Sequence, residues 1–197
     1  MKPGDTILTE RLILRGWNTD TDGEIFHRLN SDEQIMRFFP IRRGRAESDE
    51  LLDKLVGLAK DDGYGWSAFC RRDTGQVIGW GGLGRVPDDF PVGPATEVGW
   101  RLVPEQWGKG LASEAGSACL DYAFETLGLS EVISFAVHNN HASTAVMKRI
   151  GMTARPSADF DHPRVPEAKP DLIRHVVHAI TREQWQRARA HDPLSRR

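Results

Sequence analysis

The chain has few cysteines, no block of like charge and no long apolar run. Cys70 and Cys119 are its only cysteines among 197 residues. Both lie in apolar stretches, so they read as buried free thiols in a reducing compartment rather than as a disulfide or a catalytic thiol. Formal net charge is -2, and no run of Lys or Arg forms a stripe, which argues against a dedicated nucleic-acid surface. The opening MKPGDTILTERLILRGW meets charged residues before any long apolar run. It therefore reads as neither a secretion signal nor a membrane span. No internal repeat or low-complexity tract is present. What is left, 39% hydrophobic and 27% charged residues, suits one globular domain over residues 1–197, cytoplasmic and with a real core.

The pattern along the chain alternates strands and helices. TERLILRGW (9–17) alternates Leu12 and Leu14 with Arg11, Ile13 and Arg15 and predicts a first strand. Asn18 to Asp22 form a capping cluster ahead of Ile25, Phe26 and Leu29 at helical spacing. A second helix is expected after Asp49, on Leu51, Leu52, Leu55, Val56 and Leu58. WSAFCRR and QVIGWGGL, joined through Asp73-Thr74-Gly75, predict a hairpin. TEVGWRLV (96–103) is the next strand. Leu111, Ala115, Ala118, Cys119 and Tyr122 mark the clearest helix, stopped by Gly128. EVISFAV reads as a strand, followed by a helix capped at Asn139-Asn140 and closed by Gly151. RPSADFDHPRVPEAKPDL, with four prolines, reads as a long loop before the strand LIRHVVHAI and the polar helix TREQWQRARA. This succession fits a mixed α/β sheet better than a uniformly parallel one.

QWGKGLASEAG (106–116) places two glycines around a lysine at the start of a helix. Three nucleotide-binding designs use such a turn. A P-loop needs glycine where Val103 stands and Ser or Thr where Gly110 stands, so that reading fails. A dinucleotide fingerprint needs glycine in place of Ser113. Gly79, Gly81 and Gly84 in GWGGLG do satisfy that spacing, but the proline-containing RVPDDFPVGP comes next instead of a helix. That segment reads as a strand with bulge or close-approach glycines. The third design joins the strand TEVGWRLV, the turn PEQWGKG and a helix. Amides of Gly108, Gly110, Leu111 and Ala112 can then converge on an anion, aided by the helix dipole. No metal is demanded, which suits the diphosphate of coenzyme A.

VGWRLVPEQWGKGLASEA and HNNHASTAVMKRIGM together closely resemble the GNAT superfamily of N-acetyltransferases. They are most similar to its ribosomal-protein N-terminal acetyltransferase (RimJ/RimL-like) branch. TERLILRGW, QVIGWGGL and RHVVHAITREQW fit the same branch, so the resemblance covers nearly the whole chain. It implies a mixed, mostly antiparallel sheet of about seven strands, with one splayed parallel pair and flanking helices. It also implies acetyl-CoA as co-substrate, no metal, and a primary amine as acceptor, on a protein or peptide N-terminus or on a small molecule. It allows a homodimer. Leu102 and Val103 would hold the pantetheine arm through main-chain groups, and an N–H near Val103 would polarise the acetyl carbonyl. Trp107, Gly108, Lys109, Gly110, Leu111 and Ala112 align with the pyrophosphate signature, with Trp107 departing from the broad pattern as the ribosomal-type branch does. Asn140 and Ser143 match cofactor contacts, with helix capping as the alternative.

Acetyl transfer also needs a neutral amine. Glu97, on the strand feeding the cleft, is the best candidate for a base, with an ion pair to Arg101 as the alternative role. Met147 stands where many relatives carry a tyrosine proposed to protonate the leaving thiolate, and methionine cannot do that. A non-catalytic acyl-CoA-binding module therefore stays open as a rival. His138 and His141 have no third partner of metal-ligating spacing. His175 and His178 would point to opposite faces of a strand and make no site. RRGRAE (42–47) reads as a solvated loop, with a wall of the acceptor groove as the alternative. Trp17, Trp66, Trp80 and Trp100 read as core.

Overall fold

The computed structural model describes residues 5–190. The elements run β1 (Thr6–Leu8), β2 (Leu12–Arg15), α1 (Gly23–Ser31), α2 (Arg45–Asp61), β3 (Trp66–Arg71), β4 (Val77–Val86), β5 (Ala95–Leu102), α3 (Leu111–Asp121), β6 (Glu131–Val137), α4 (His141–Arg149), β7 (Thr153–Ala154), β8 (Phe160–Asp161), β9 (Arg174–Thr181) and α5 (Arg182–Ala190). The strands form one sheet in the order β1-β2-β3-β4-β5-β6-β9-β7, with β8 also on β9. Every pairing is antiparallel except β5 with β6. The architecture is thus the expected mixed sheet with one parallel pair. Its strand count reaches nine among the described residues because β1, β7 and β8 are only two or three residues long.

Several boundaries differ from the sequence reading for local reasons. The first strand breaks at Thr9, whose hydroxyl accepts the Leu12 N–H and so folds the chain between β1 and β2. Asp22 does not cap α1 through its side chain. Its carboxylate instead binds Arg15 Nη1 at 2.7 Å and the Asn18 N–H at 2.9 Å. RRGRAE is only partly loop: α2 starts at Arg45, where Glu47 accepts the Gly44 N–H at 2.8 Å. The proline-rich segment carries β8 and two single 3-10 turns. Beyond Asp121, α3 continues as one π turn over Tyr122–Thr126 before Gly128, at φ 68°, ends it.

The two faces of β5 divide the molecule. Trp100 turns toward α3, where a Cβ on Gly116 would meet its ring at 3.4 Å. Val98 and Leu102, on the same face by strand alternation, join the main core with Leu111, Ala115 and Met147. Glu97, Gly99 and Arg101 turn the other way, toward α1. There Phe26, Leu52 and Leu55 form a smaller core with Trp17, Trp66 and Trp80 packed against it. GWGGLG is a strand, and its glycines serve close approach. A Cβ on Gly84 would lie 2.4 Å from the Trp66 ring, so the bare strand seats that indole.

Candidate active site

The turn between β5 and α3 is shaped by backbone reversals. Pro104–Gln106 form a single 3-10 turn. Gly108 and Gly110 then take φ values of 73° and 78°, the left-handed region that side chains strain. Gly110 caps α3. The first N–H groups of a helix lack intrahelical partners, and here they belong to the glycine turn. The turn is braced from β1 and β2: Arg11 Nη1 donates to the Lys109 carbonyl at 2.9 Å, and Arg11 Nε pairs with Glu114 Oε2 at 2.7 Å. That pair offsets the one carboxylate of the first helical turn, which would otherwise oppose an anion.

A groove of about 460 Å³ runs from this turn between α3 and α4. Gln106, Trp107, Gly108 and Gly110 through Ser113 line one side, and Ala142, Ser143, Val146 and Arg149 the other. Arg149 Nη1 donates to Ser113 Oγ at 3.2 Å and so brings a cation to the groove. Trp107 Nε1 donates to the Leu102 carbonyl at 2.8 Å.

A second cavity, about 230 Å³, opens where β5 and β6 part. These parallel strands pair at one register position, Glu97 with Ile133. Beyond it the strands splay. Trp66, Trp80, Phe38, Phe39, Phe135 and His162 form much of the wall. The two cavities share Phe38, Phe39, Trp100, Arg101, Asn140 and Ser143, so they meet at the point of divergence.

Charge in the second cavity is sparse. Among the described residues, Glu97 is its only carboxylate and Arg101 its only guanidinium. No hydrogen-bond or ion-pair partner of the Glu97 carboxylate occurs among the described residues. Burial pushes it up to about 8. Arg101 does not neutralise it: its Nη1 binds the Leu29 carbonyl at 3.0 Å and Asn30 Oδ1 at 2.7 Å. Burial pulls His162 down to about 4 and lowers His175 as well, so both rings on this wall are neutral near pH 7. Burial also pushes the Cys119 thiol up to about 12, and the Cys70 thiol is raised by the same cause. Both thiols are free and buried.

The Acetyltransferase (GNAT) domain profile matches residues 11–153. The chain belongs to the GNAT acetyltransferases. It is 32% identical over 176 residues to the FsC-acetyl coenzyme A-N(2)-transacetylase of Aspergillus fumigatus, covering 83% of this chain and 71% of that protein. It is 29% identical over 180 residues to the uncharacterized N-acetyltransferase YnaD of Bacillus subtilis, covering 91% and 98%. Among solved structures, a GNAT-family acetyltransferase from Bacillus anthracis aligns with a TM-score of 0.75 at 23% identity, over 91% of this chain and 99% of that one. The ribosomal-protein-S5-alanine acetyltransferase of Vibrio fischeri aligns at 0.71 and 16% identity, over 92% and 98%. This acetyltransferase is therefore an acyltransferase with the GNAT fold, and its family implies acetyl-CoA as co-substrate.

The glycine turn fits that co-substrate, because its left-handed residues expose amides beside a groove that also holds Arg149. Of the residues singled out in the acetyltransferase sequence, Leu102, Trp107, Gly108, Gly110, Leu111, Ala112, Asn140 and Ser143 line this groove. Lys109 and Val103 do not. Lys109 Nζ reaches Gln106 Oε1 at 3.4 Å. The Val103 N–H is committed to the Ile78 carbonyl at 2.9 Å, so it is not free to polarise an acetyl carbonyl. Because N–H groups alternate sides along a strand, those of Trp100 and Leu102 face the splay instead. Asn140 does both things weighed for it: Oδ1 accepts the Ser143 N–H at 3.2 Å, and the residue lines both cavities.

Some assignments need correction. The Glu97–Arg101 ion pair does not form. Trp66, Trp80 and Trp100 are cavity walls as well as packing residues. His175 lines the second cavity while His178 does not, as opposite strand faces require. Phe38, Phe39 and Arg149 were not singled out from sequence: no motif surrounds the two phenylalanines, and Arg149, although within HNNHASTAVMKRIGM, is brought to the groove by the packing of α4. Among the described residues no group of three His, Cys, Asp or Glu side chains is placed to hold a metal ion, and no helix is long and apolar enough to cross a membrane.

Proposed function

We propose that this enzyme transfers the acetyl group of acetyl-CoA to a primary α-amine, that of a protein or peptide N-terminus, with Glu97 as the base. The observation that carries this reading is the single unpaired carboxylate in an aromatic cavity that opens directly onto the glycine-lined groove. The groove amides of Gly108, Gly110, Leu111 and Ala112 hold the diphosphate. Leu102 and Val103 flank the pantetheine arm, and Lys109 adds charge at the mouth. A Trp100 or Leu102 N–H polarises the thioester carbonyl. The acceptor attacks as its neutral amine. Glu97, directly or through water, takes the proton that the nitrogen sheds as it bonds to the acetyl carbon and the carbon–sulfur bond breaks, and passes it to solvent. Met147, buried on the cavity wall, has no acidic proton, so water reprotonates the thiolate.

The choice of amine follows from acidity. An α-ammonium has a pKa of about 7.7–8.0 and a lysine about 10.4, so near neutrality the α-amine offers roughly a few hundred times more free base. A carboxyl pushed up to about 8 is matched to the first. One carboxylate in an otherwise aromatic wall argues against a polycationic acceptor. The enclosed size of the cavity favours a second reading, a small amine bearing its own α-amino group. The motif PEQWGKGLASEA supports placement in the RimJ/RimL-like branch, the two buried free thiols support a cytoplasmic enzyme, and the one continuous sheet supports a single domain over 1–197.

The test is coenzyme A release from acetyl-CoA with matched lysine-containing peptides whose N-termini are free or blocked. Release with free N-termini alone is expected. Equal release from both makes lysine the acceptor and overturns the α-amine reading.

A further inference from the structure

Arg101 is a half-buried cation whose charge nothing in the described structure neutralises. Its Nη1 is committed to two neutral acceptors, the Leu29 carbonyl at 3.0 Å and Asn30 Oδ1 at 2.7 Å. Its Nε is buried without a hydrogen-bond partner. The guanidinium lies 4.1 Å from the Phe39 ring centroid and 4.8 Å from that of Trp80, held between two cavity walls. No carboxylate pairs with it among the described residues. Arg43 adds a second positive charge, and burial with that repulsion pulls the guanidinium down to about 9. Burying an unpaired charge is costly unless a partner arrives. Arg101 lines the aromatic cavity that holds Glu97 as well as the groove beside the glycine turn, and in the first of these no other cation is present among the described residues to receive an anion.

We propose that Arg101 binds a carboxylate of the acceptor, so that the enzyme prefers amines carrying an acidic group several bonds from the reacting nitrogen. The inference rests on the function proposed above. Glu97 and Arg101 point to the same side of β5, four residues or about 13 Å apart along the strand. Gly99, between them on that side, lies under the Trp66 ring, which a Cβ there would meet at 3.1 Å, so an aromatic surface rather than a polar group separates the two. An acceptor can therefore present its amine at one end and its carboxylate at the other. Trp80 and Phe39 stack the guanidinium as they would for a planar, two-pronged contact, which a carboxylate matches. Two sources offer that chemistry: an acidic side chain near a peptide N-terminus, or the terminal carboxylate of a small acceptor.

The experiment compares three peptides as acceptors: Ala-Asn-Ala amide, Ala-Asp-Ala amide and Ala-Asn-Ala free acid. The wild type is expected to use at least one of the acidic peptides about tenfold better in kcat/KM than the neutral amide. Preference for the second identifies a side-chain carboxylate, and for the third a terminal one. In Arg101→Gln the preference should fall to near one, with Arg101→Lys between, while the Kd for acetyl-CoA stays within about threefold. Equal use of all three by the wild type overturns the inference and leaves the acetyltransferase reading intact, whether or not the variants fold. A tenfold loss of acetyl-CoA affinity in Arg101→Gln with the peptide preference unchanged also overturns it, because the arginine then serves the cofactor. If none of the peptides is acetylated, the function proposed above fails separately. Binding of the same peptides to the coenzyme A complex then decides: tighter binding of an acidic one, lost in Arg101→Gln, sustains the contact, and equal binding removes it.

Discussion

The groove beside the glycine turn, proposed for the donor, and the aromatic cavity, proposed for the acceptor, touch each other but are made differently. The glycine side of the groove works through backbone: residues 106–108 and 110–113, reversed by Gly108 and Gly110, present amides at one helix start. The cavity is mostly side chain, with aromatic rings brought from the α1–α2 connection, β3, β4, β5, β6 and the segment before β9. A backbone site tolerates many sequences as long as the reversals survive. A side-chain site changes with every ring. One surface is therefore suited to a constant ligand and the other to an acceptor that differs between relatives.

The largest expected effect separates the two halves. Glu97→Gln should lower kcat about 10²- to 10⁴-fold, with acetyl-CoA affinity from calorimetry unchanged. A kcat within threefold of wild type between pH 6 and 8 would remove Glu97 as the base. Next, Gly110→Asp should weaken acetyl-CoA binding about ten- to hundredfold, since a carboxylate beside the diphosphate repels it and the φ of 78° strains any side chain. Unchanged affinity would show that the amides of this turn are not the anion site.

The pH profile sharpens the same contrast. A base at about 8 works only once deprotonated, so log kcat/KM should rise toward pH 8. Below about 7.5 the slope should approach two, one proton from Glu97 and one from the α-ammonium. Glu97→Gln should leave a slope of one. Stability carries the opposite sign. The folded carboxyl keeps its proton up to about 8, whereas an ordinary glutamate loses it near 4.5, so unfolding free energy should fall as pH climbs through that window. Denaturant titrations of the Gln variant should lack that fall. The smallest effect belongs to the residue shared by both halves. Asn140→Ala removes the cap bond to the Ser143 N–H and should cost about 1 kcal/mol of stability, with a modest rise in KM for both substrates. A rise confined to one substrate would assign Asn140 to that half alone.

The difference between the halves also explains what could be read before the structure. The turn at 106–112 is contiguous, and its chemistry depends on φ values that only glycine adopts easily, so the letters G-K-G carry it. GWGGLG matched a nucleotide fingerprint in letters, yet the prolines of RVPDDFPVGP forbade the helix, and the strand reading rests on that same local evidence. Glu97 was legible through its strand. Its isolation was not, because whether Arg101 pairs with it depends on where α1 ends and offers the Leu29 carbonyl. Which N–H near Val103 is free was not legible for a similar reason: the direction of each is set by the β4 register.

The sequence by itself determined most of the elements, the mixed sheet and the glycine turn, since each depends on periodicity or on backbone permission over a few neighbouring residues, and its motifs carried the family resemblance. Only the tertiary structure decided the aromatic cavity. Phe38, Phe39, Trp66, Trp80 and Phe135 become one wall, and Arg101 becomes a charge without a counterion, because packing rather than spacing sets which distant side chains share a low-dielectric space.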